Sequence, residues 1–127
     1  MNHPILSVSN LAICFGKGRD QNEVVSGVSL SLHAGKTLAV VGESGSGKTL
    51  TGRAIMQLLP HKARITRGEV AYCAGGDKTE DLLKASGRRM RALRGCEIGM
   101  IFQEPMSSLS PFHTIGAQVK ELSLIHI

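Results

Sequence analysis

The feature that most constrains this chain is a glycine-rich segment held between an apolar run and an amphipathic stretch. The segment consists of Gly42, Glu43, Ser44, Gly45, Ser46, Gly47, Lys48 and Thr49. Residues 37–41, just before it, are an apolar run without alternation, which is typical of a strand covered on both faces. After it, Leu50, Ala54 and Leu58 recur every fourth residue and predict a helix over residues 49–59, ended by Pro60. This order of elements predicts an α/β fold.

The glycine-rich segment fits the P-loop pattern GxxxxGK[ST] at every fixed position. Glycine suits such a loop because backbone N–H groups must converge on a phosphate without obstruction by side chains. The helix that follows points its N-terminal N–H groups at the anion, Lys48 reaches the β- and γ-phosphates, and the Thr49 hydroxyl ligates Mg²⁺. A Gly/Ser linker that happens to contain lysine is the alternative, but linkers are not normally framed by a buried strand. The sequence therefore predicts binding of a nucleoside triphosphate.

The rest of the chain predicts two kinds of sheet. Residues 5–13 and 28–33 predict strands, the second of them antiparallel because its apolar and polar residues alternate. The other predicted elements are a loop over 15–22, a turn at 34–36, strands over 68–72 and 97–102, and helices over 80–84, 88–93 and 114–122. We expect an antiparallel N-terminal sheet beside a parallel core sheet that carries the P-loop between a strand and a helix.

Composition and charge argue against several classes of protein. Lys and Arg number 15 and Asp and Glu 10, so the chain of 127 residues carries a net charge of +5. The basic clusters at 61–67 and 88–94 contain no aromatic side chains to stack bases, which argues against a nucleic-acid surface. No apolar run approaches the roughly 20 residues of a membrane span, and the N-terminus lacks the pattern of a secretory signal. Three scattered cysteines match no metal or disulfide spacing and indicate reduced thiols in a cytosolic protein.

A second segment carries a family resemblance together with the P-loop. Residues 98–111 read Ile-Gly-Met-Ile-Phe-Gln-Glu-Pro-Met-Ser-Ser-Leu-Ser-Pro. This spelling resembles the Q-loop of ATP-binding subunits of ABC transporters, in the branch that imports oligopeptides, dipeptides, nickel and glutathione. Residues 91–95 and 114–118 are similar to the same branch. The resemblance runs from about Leu6 to Glu121, nearly the whole chain.

The resemblance implies a RecA-like P-loop NTPase that uses ATP and Mg²⁺. Gln103 would reach Mg²⁺ and the attacking water, and it would form the catalytic pair with Lys48. Being neutral, Gln103 can rearrange when a membrane subunit moves, which would couple nucleotide state to transport. Phe15 matches the aromatic position that stacks on adenine, and an ordinary core phenylalanine is the alternative. Glu104 is expected at the contact with a membrane subunit rather than as a catalytic acid.

The resemblance also implies partners, a location and a division of the chain. The expected partners are membrane-spanning transporter subunits, a second ATP-binding subunit and, indirectly, a solute-binding protein, but no nucleic acid. The expected location is cytoplasmic, peripheral on the inner face of the plasma membrane. The expected parts of one ATP-binding domain are residues 1–36 as a mainly antiparallel β region, 37–121 as the P-loop core through the Q-loop, and 122–127 as a tail of doubtful origin.

Motifs that the family places after the Q-loop are missing. A Walker B aspartate follows an apolar run, and none of Asp20, Asp77 and Asp81 does so. The signature Leu-Ser-Gly-Gly-Gln is absent, and no histidine can be assigned as the switch residue. We therefore expect a domain truncated after the Q-loop, which binds ATP without turnover on its own. The alternatives are a nucleotide-binding module without turnover and another P-loop kinase or NTPase, although a GTPase would carry an Asn-Lys-x-Asp motif that is absent here.

Overall fold

An antiparallel sheet and three helices make up the regular structure of this protein, which a computed structural model describes over residues 3–76, 78–103 and 109–125. The strands are β1 (Leu6–Phe15), β2 (Asn22–Leu32), β3 (Ala63–Tyr72) and β4 (Glu80–Asp81). They form one four-stranded sheet in the order β2-β1-β3-β4. The helices are α1 (Lys48–Ile55), α2 (Gly87–Leu93) and α3 (Ile115–Ile125), and a short 3-10 turn lies at Gly18–Asp20. The described fold is therefore mixed α and β.

The prediction of an antiparallel N-terminal sheet is confirmed. β1 pairs with β2 and with β3, both antiparallel, and Val8 lies opposite Leu30 on one side and Val70 on the other. The β1–β2 register shifts after Val8, where Asn10 adopts a left-handed φ of 50°. β2 is longer than predicted and begins at Asn22, so the expected loop over 15–22 shortens to the residues between the two strands.

The hydrophobic core joins the sheet to the first two helices. Its buried members come from β1, β2 and β3, from the residue after β4, and from α1 and α2. They are Val8, Leu11, Ile13, Val25, Val70, Tyr72, Leu82, Ala54, Met90 and Leu93. The side of α1 that carries Ala54 therefore packs into this core, which fixes the helix that follows the glycine loop. Burial of this apolar surface is the main force that holds α1 and α2 against the sheet.

The two strands predicted for the parallel core do not form among the described residues. Residues 37–41 lie in no strand, and Leu38, Val40 and Val41 are 44%, 52% and 88% exposed. Residues 99–103 likewise lie in no strand, Ile101 is 90% exposed, and the parallel pairing near them is a single bridge between Arg94 and Ile98. The apolar pattern predicted strands covered on both faces, but such strands need paired neighbours. The described residues place no strand beside either segment.

Several element boundaries also differ from the predictions. Residues 80–84 predicted a helix, but the structure has β4 there because Asp81 Oδ1 accepts hydrogen bonds from Val70 N and Leu83 N, at 3.2 and 3.0 Å. α1 ends at Ile55, before Pro60, because Gln57 takes a left-handed φ of 52°. β3 begins earlier than the predicted 68–72. The helices predicted over 88–93 and 114–122 are present as α2 and α3.

Candidate functional site

The glycine-rich loop enters α1 through a backbone conformation that requires glycine. Gly47 is the residue that caps α1, with φ 93° and ψ 6°, and Gly45 has φ 83°. A Cβ on Gly47 would lie 2.8 Å from Val25 Cγ2, and a Cβ on Gly42 would lie 2.7 Å from Ser46 Oγ. Glycine is therefore needed at Gly47 for both its φ and its close approach to β2, whereas a Cβ on Gly42 would require the Ser46 side chain to move.

Lys48, the first residue of α1, folds its side chain back over the loop. Its Nζ donates hydrogen bonds to the carbonyl oxygens of Gly42 and Glu43, at 2.6 and 2.7 Å, and to Ser46 Oγ at 3.1 Å. All three acceptors are neutral, and within the described ranges no carboxylate forms an ion pair with Lys48. The loop therefore holds a positive charge that is not neutralised by a protein group, which favours an anionic ligand.

The N-terminus of α1 adds backbone donors beside this ammonium. The first N–H groups of a helix have no partner within it and carry the positive end of the helix dipole. Inside α1 the ladder begins with Thr51, whose N–H donates to Gly47 O at 3.0 Å and whose hydroxyl donates to the same oxygen at 2.8 Å. A cavity of about 410 Å³ opens at this end of the helix. Such a site fits a phosphate group.

Gln103 lies on the wall of that same cavity. The lining residues are Ser44, Gly45, Ser46, Gly47, Lys48, Thr49, Leu50 and Gln103. A neighbouring cavity of about 520 Å³ is also lined by Lys48, Thr49 and Gln103. The glycine-rich loop and Gln103 are far apart in the sequence, and the sequence predicted both as parts of the site. The structure brings them together at this cavity. Gly42 and Glu43 do not line the 410 Å³ cavity, but their carbonyls hold Lys48.

One predicted site residue, Phe15, does not line the cavity. Phe15 is the last residue of β1, pairs with Asn22 and Ala63, is half-buried, and is not among the residues that line the cavity. Its stacking on adenine stays a prediction. Glu104 lies outside the described residues, as do Asp77 and residues 126–127 of the predicted tail.

The structure adds two contacts that sequence patterns did not indicate. The guanidinium of Arg53 lies over the ring of Phe102, 5.6 Å from its centroid, and Val25 of β2 lies against Gly47. The first contact joins α1 to the residue before Gln103, which is far along the chain, and no local pattern signals it. The second contact also joins segments far apart in the chain and has no local signal.

The residues at the cavity fit Mg²⁺ held mainly by phosphates. Mg²⁺ keeps several waters and uses one or two protein oxygens together with substrate phosphates. The Thr49 hydroxyl and the Gln103 side chain can supply such oxygens. Across residues 3–76, 78–103 and 109–125, no group of three His, Cys, Asp or Glu side chains could hold a metal. The Asp81 carboxylate already accepts hydrogen bonds from the backbone N–H groups of Val70 in β3 and of Leu83, just after β4.

A separate ion-pair network joins α2 to β4 and to Glu97. Arg89 donates to Glu80 Oε1 at 2.6 Å and to Glu97 Oε1 at 2.8 Å, and the Tyr72 hydroxyl donates to Glu97 Oε2 at 3.1 Å. Arg89, followed by a smaller effect of the Tyr72 hydrogen bond, lowers the pKa of Glu97. Burial, followed by the bond to Glu97, raises the pKa of Tyr72. This network borders an apolar cavity of about 810 Å³ that includes none of the predicted site residues.

The glycine loop, its lysine and the helix that follows define the class of P-loop proteins. A model of the ABC transporter family matches residues 25–124, and the chain belongs to that family. Among the described residues no helix is long and apolar enough to cross a membrane.

Curated relatives carry names of importer subunits. The chain is 43% identical over 96% of its length to the dipeptide transport ATP-binding protein DppD of Bacillus subtilis. It is 42% identical over 96% of its length to the oligopeptide transport ATP-binding protein OppD of the same organism, and 44% over 96% to the glutathione import ATP-binding protein GsiA of Salmonella typhimurium. The chain spans 35%, 33% and 20% of the length of these three relatives.

Proposed function

We propose that this chain binds Mg-ATP through residues 42–49 as part of the ATP-binding, energy-coupling subunit of an importer for peptides or related small solutes. The observation that carries the proposal is the meeting of Lys48, Thr49 and Gln103 on one cavity at the N-terminus of α1. The relatives named for dipeptide, oligopeptide and glutathione import support the solute class.

In this proposal the loop residues divide the work of holding the triphosphate. The glycines leave backbone N–H groups open to the phosphates, and Glu43, Ser44 and Ser46 complete the turn. Lys48 exchanges its neutral carbonyl partners for phosphate oxygens, a stronger charge-assisted pairing. Phe15 stacks on the adenine.

Thr49 and Gln103 would hold Mg²⁺ together with the phosphates. When bound, the ion would supply charge neutralisation at the β- and γ-phosphates. Gln103 orients the attacking water through its side-chain amide and, being neutral, can leave this position when a membrane subunit moves. Lys48 stabilises the charge of the transferred phosphoryl group.

The whole protein would then work as one of two ATP-binding subunits against membrane-spanning subunits on the cytoplasmic face of the plasma membrane. Solute reaches the transporter through a binding protein. Residues 1–36 contribute most of the antiparallel β region, whose sheet β3 and β4 complete, and residues 37–121 belong to the P-loop core through the Q-loop. The exposed apolar residues Val40, Val41 and Ile101 support this division, because strands of such a core are covered on both faces.

A nucleotide-binding module without turnover is the second candidate for the chain by itself. Within the 127 residues, no aspartate follows an apolar run as a Walker B residue does. Phosphoryl transfer in P-loop proteins needs that Asp to hold Mg²⁺. We expect the isolated chain to bind ATP and to release no phosphate above background. Steady phosphate release would reject this candidate.

The test of nucleotide binding compares Lys48→Ala with Lys84→Ala, an exposed lysine outside the cavity. Calorimetric titration with Mg-ATP should show affinity loss of more than about tenfold for Lys48→Ala, because a charge-assisted contact is removed. Lys84→Ala should bind like the unchanged chain. Equal affinity of all three proteins would overturn the proposed site.

A second test addresses the solute class. A strain that lacks the gene should lose uptake of labelled dipeptides or oligopeptides, and the gene restored with Lys48→Ala should not recover it. Normal peptide uptake in the deletion strain would contradict the peptide class. Nickel and glutathione uptake, measured beside it, would identify the related solutes.

A further inference from the structure

The pair formed by Arg53 and Phe102 lies between the two halves of the proposed site. Arg53 is on α1, and its guanidinium carbon is 5.6 Å from the centroid of the Phe102 ring. Arg53 Nε is buried and has no hydrogen-bond partner among the residues the structure describes. A buried donor without a partner is costly. The contact of this guanidinium with the face of the Phe102 ring is a cation–π interaction at a side chain that lacks a hydrogen bond at Nε.

The positions of Arg53 and Phe102 in the chain connect the pair to both proposed Mg²⁺ ligands. Thr49 and Arg53 are four residues apart on α1 and therefore share a face of the helix. Phe102 directly precedes Gln103. All four residues line the cavity of about 520 Å³ next to the phosphate site. The contact thus bridges the helix face that carries Thr49 and the segment that carries Gln103.

The segment before Gln103 depends on side-chain contacts for its position. Residues 99–103 lie in no strand, so the described residues give them no ladder of backbone hydrogen bonds. Met100 approaches α1 as well, with its Cε 3.8 Å from where a Cβ on Gly52 would lie. Phe102 remains 47% exposed, so packing alone holds it only in part. The cation–π contact with the Arg53 guanidinium adds an interaction with a preferred geometry, which nonspecific packing does not provide.

We propose that Arg53 is a positioning residue that acts through Phe102 to keep Gln103 at the Mg²⁺ side of the cavity. The inference rests on the proposed function, because it assigns Gln103 to Mg-ATP. Arg53 itself touches neither nucleotide nor metal in this proposal. Its removal should therefore weaken the Mg²⁺-dependent part of ATP binding and leave metal-free ATP binding unchanged.

The experiment measures the affinity of the chain for ATP with Mg²⁺ and with a chelator in place of Mg²⁺. Arg53→Met should weaken Mg-ATP binding by about fivefold, the scale of one cation–π contact, and should leave the chelator value unchanged. Phe102→Leu should weaken Mg-ATP binding to the same extent. Phe102→Tyr keeps the aromatic ring and should bind Mg-ATP as the unchanged chain does. Arg91→Met, an exposed arginine on α2, is the matched control and should bind as the unchanged chain does.

Double variants separate positioning from a structural role. In a Gln103→Ala background, Arg53→Met should cause no further loss, because the group that it positions is gone. A full additional loss there, or an equal loss with and without Mg²⁺, would overturn the proposal and indicate a purely structural role. Binding of Arg53→Met and Phe102→Leu at the level of the unchanged chain would also overturn it.

Failure of the proposed function can be distinguished from failure of the positioning role of Arg53. If Lys48→Ala binds Mg-ATP as well as the unchanged chain, the proposed function itself fails. If Lys48→Ala loses binding while Arg53→Met does not, only the positioning role fails.

The chain has no tryptophan, so Phe102→Trp adds a single fluorescent reporter. Its emission should change on addition of Mg-ATP, and Arg53→Met should reduce that change. An emission change of the same size in the Arg53→Met background would count against positioning.

Discussion

Gly47 lies so close to Val25 that a Cβ on Gly47 would be 2.8 Å from Val25 Cγ2. Val25 is buried in β2 and pairs with Ile13 of β1. The antiparallel sheet therefore contacts the glycine loop directly, at the residue that caps α1. Through this contact, the packing of the sheet fixes the direction in which the helix N-terminus points.

Gly47→Ala should destabilise the protein more than Gly45→Ala. Both residues have a positive φ, so each alanine costs about 1–2 kcal/mol of strain. Only Gly47→Ala also collides with Val25, because no atom lies within 4 Å of a Cβ on Gly45. The overlap should add about 1–3 kcal/mol. Unfolding in urea would measure both free energies, and equal losses would contradict the contact with β2.

The ion-pair network predicts acid sensitivity through Glu97. Arg89 holds the pKa of Glu97 below its ordinary value of 4.5. The unfolded chain therefore binds a proton more readily, and the stability that Glu97 contributes is present above pH 4.5 and lost as pH falls through the lowered pKa. Melting temperature should decline in this range. Glu97→Gln should make the decline shallower, and an unchanged slope would assign the acid sensitivity to other groups.

The same network predicts that stability falls as pH rises in the alkaline range, because of Tyr72. Burial raises the pKa of Tyr72 above its ordinary value of 10.0. The stability contributed by the neutral hydroxyl is complete below pH 10.0 and is lost as pH rises through the raised pKa. Tyr72→Phe should remove this alkaline decrease in melting temperature. A decrease that persists unchanged in Tyr72→Phe would contradict the assignment.

Gly52→Ala should stabilise α1. Gly52 has an ordinary helical φ, and a Cβ there would meet Met100 Cε at 3.8 Å, an ordinary contact distance. Alanine favours a helix over glycine by about 1 kcal/mol. The gain should appear as a higher melting temperature. Gly116→Ala in α3 gains the same propensity in open space and serves as the control. A loss for Gly52→Ala alone would mean that Met100 cannot accommodate the methyl group.

Local patterns predicted those parts of the fold that local physics decides. Alternation over residues 28–33 predicted part of β2, and apolar spacing together with the P-loop pattern predicted α1 to within one residue at its start. The positive φ at Gly45 and Gly47 agrees with a loop that needs glycine. The meeting of Gln103 with Lys48 came from a family resemblance, because no local pattern brings such distant segments together.

Non-local contacts decide what the patterns missed. Residues 37–41 have the composition of a covered strand, but strand formation depends on paired neighbours, and Val41 is 88% exposed among the described residues. Arg94 belongs to the basic cluster at 88–94, and nothing in that pattern indicates that it is half-buried against the end of α1. In both cases the decisive contact is with a segment far along the chain.

Arg94 should contribute to stability by closing the C-terminal end of α1. Its Nε donates to Met56 O at 2.8 Å and its Nη2 donates to Gln57 O at 3.0 Å, so one planar group serves two carbonyls at the negative end of the helix dipole. Arg94→Met should lower the free energy of unfolding by about 1–3 kcal/mol, since both carbonyls lose a charged donor. Arg94→Lys should recover only part of this, because an ammonium lacks the planar fork that reaches both oxygens.

The matched control for Arg94 is Arg88→Met, on the exposed side of α2. It should change the free energy of unfolding by no more than about 0.5 kcal/mol. Urea unfolding of all three variants measures the difference. Full recovery by Arg94→Lys would mean that charge alone stabilises the helix end. An Arg94→Met loss no larger than that of Arg88→Met would mean that the two hydrogen bonds contribute nothing, and that Gln57, which donates to Leu82 O and Ala85 O, ends α1 by itself.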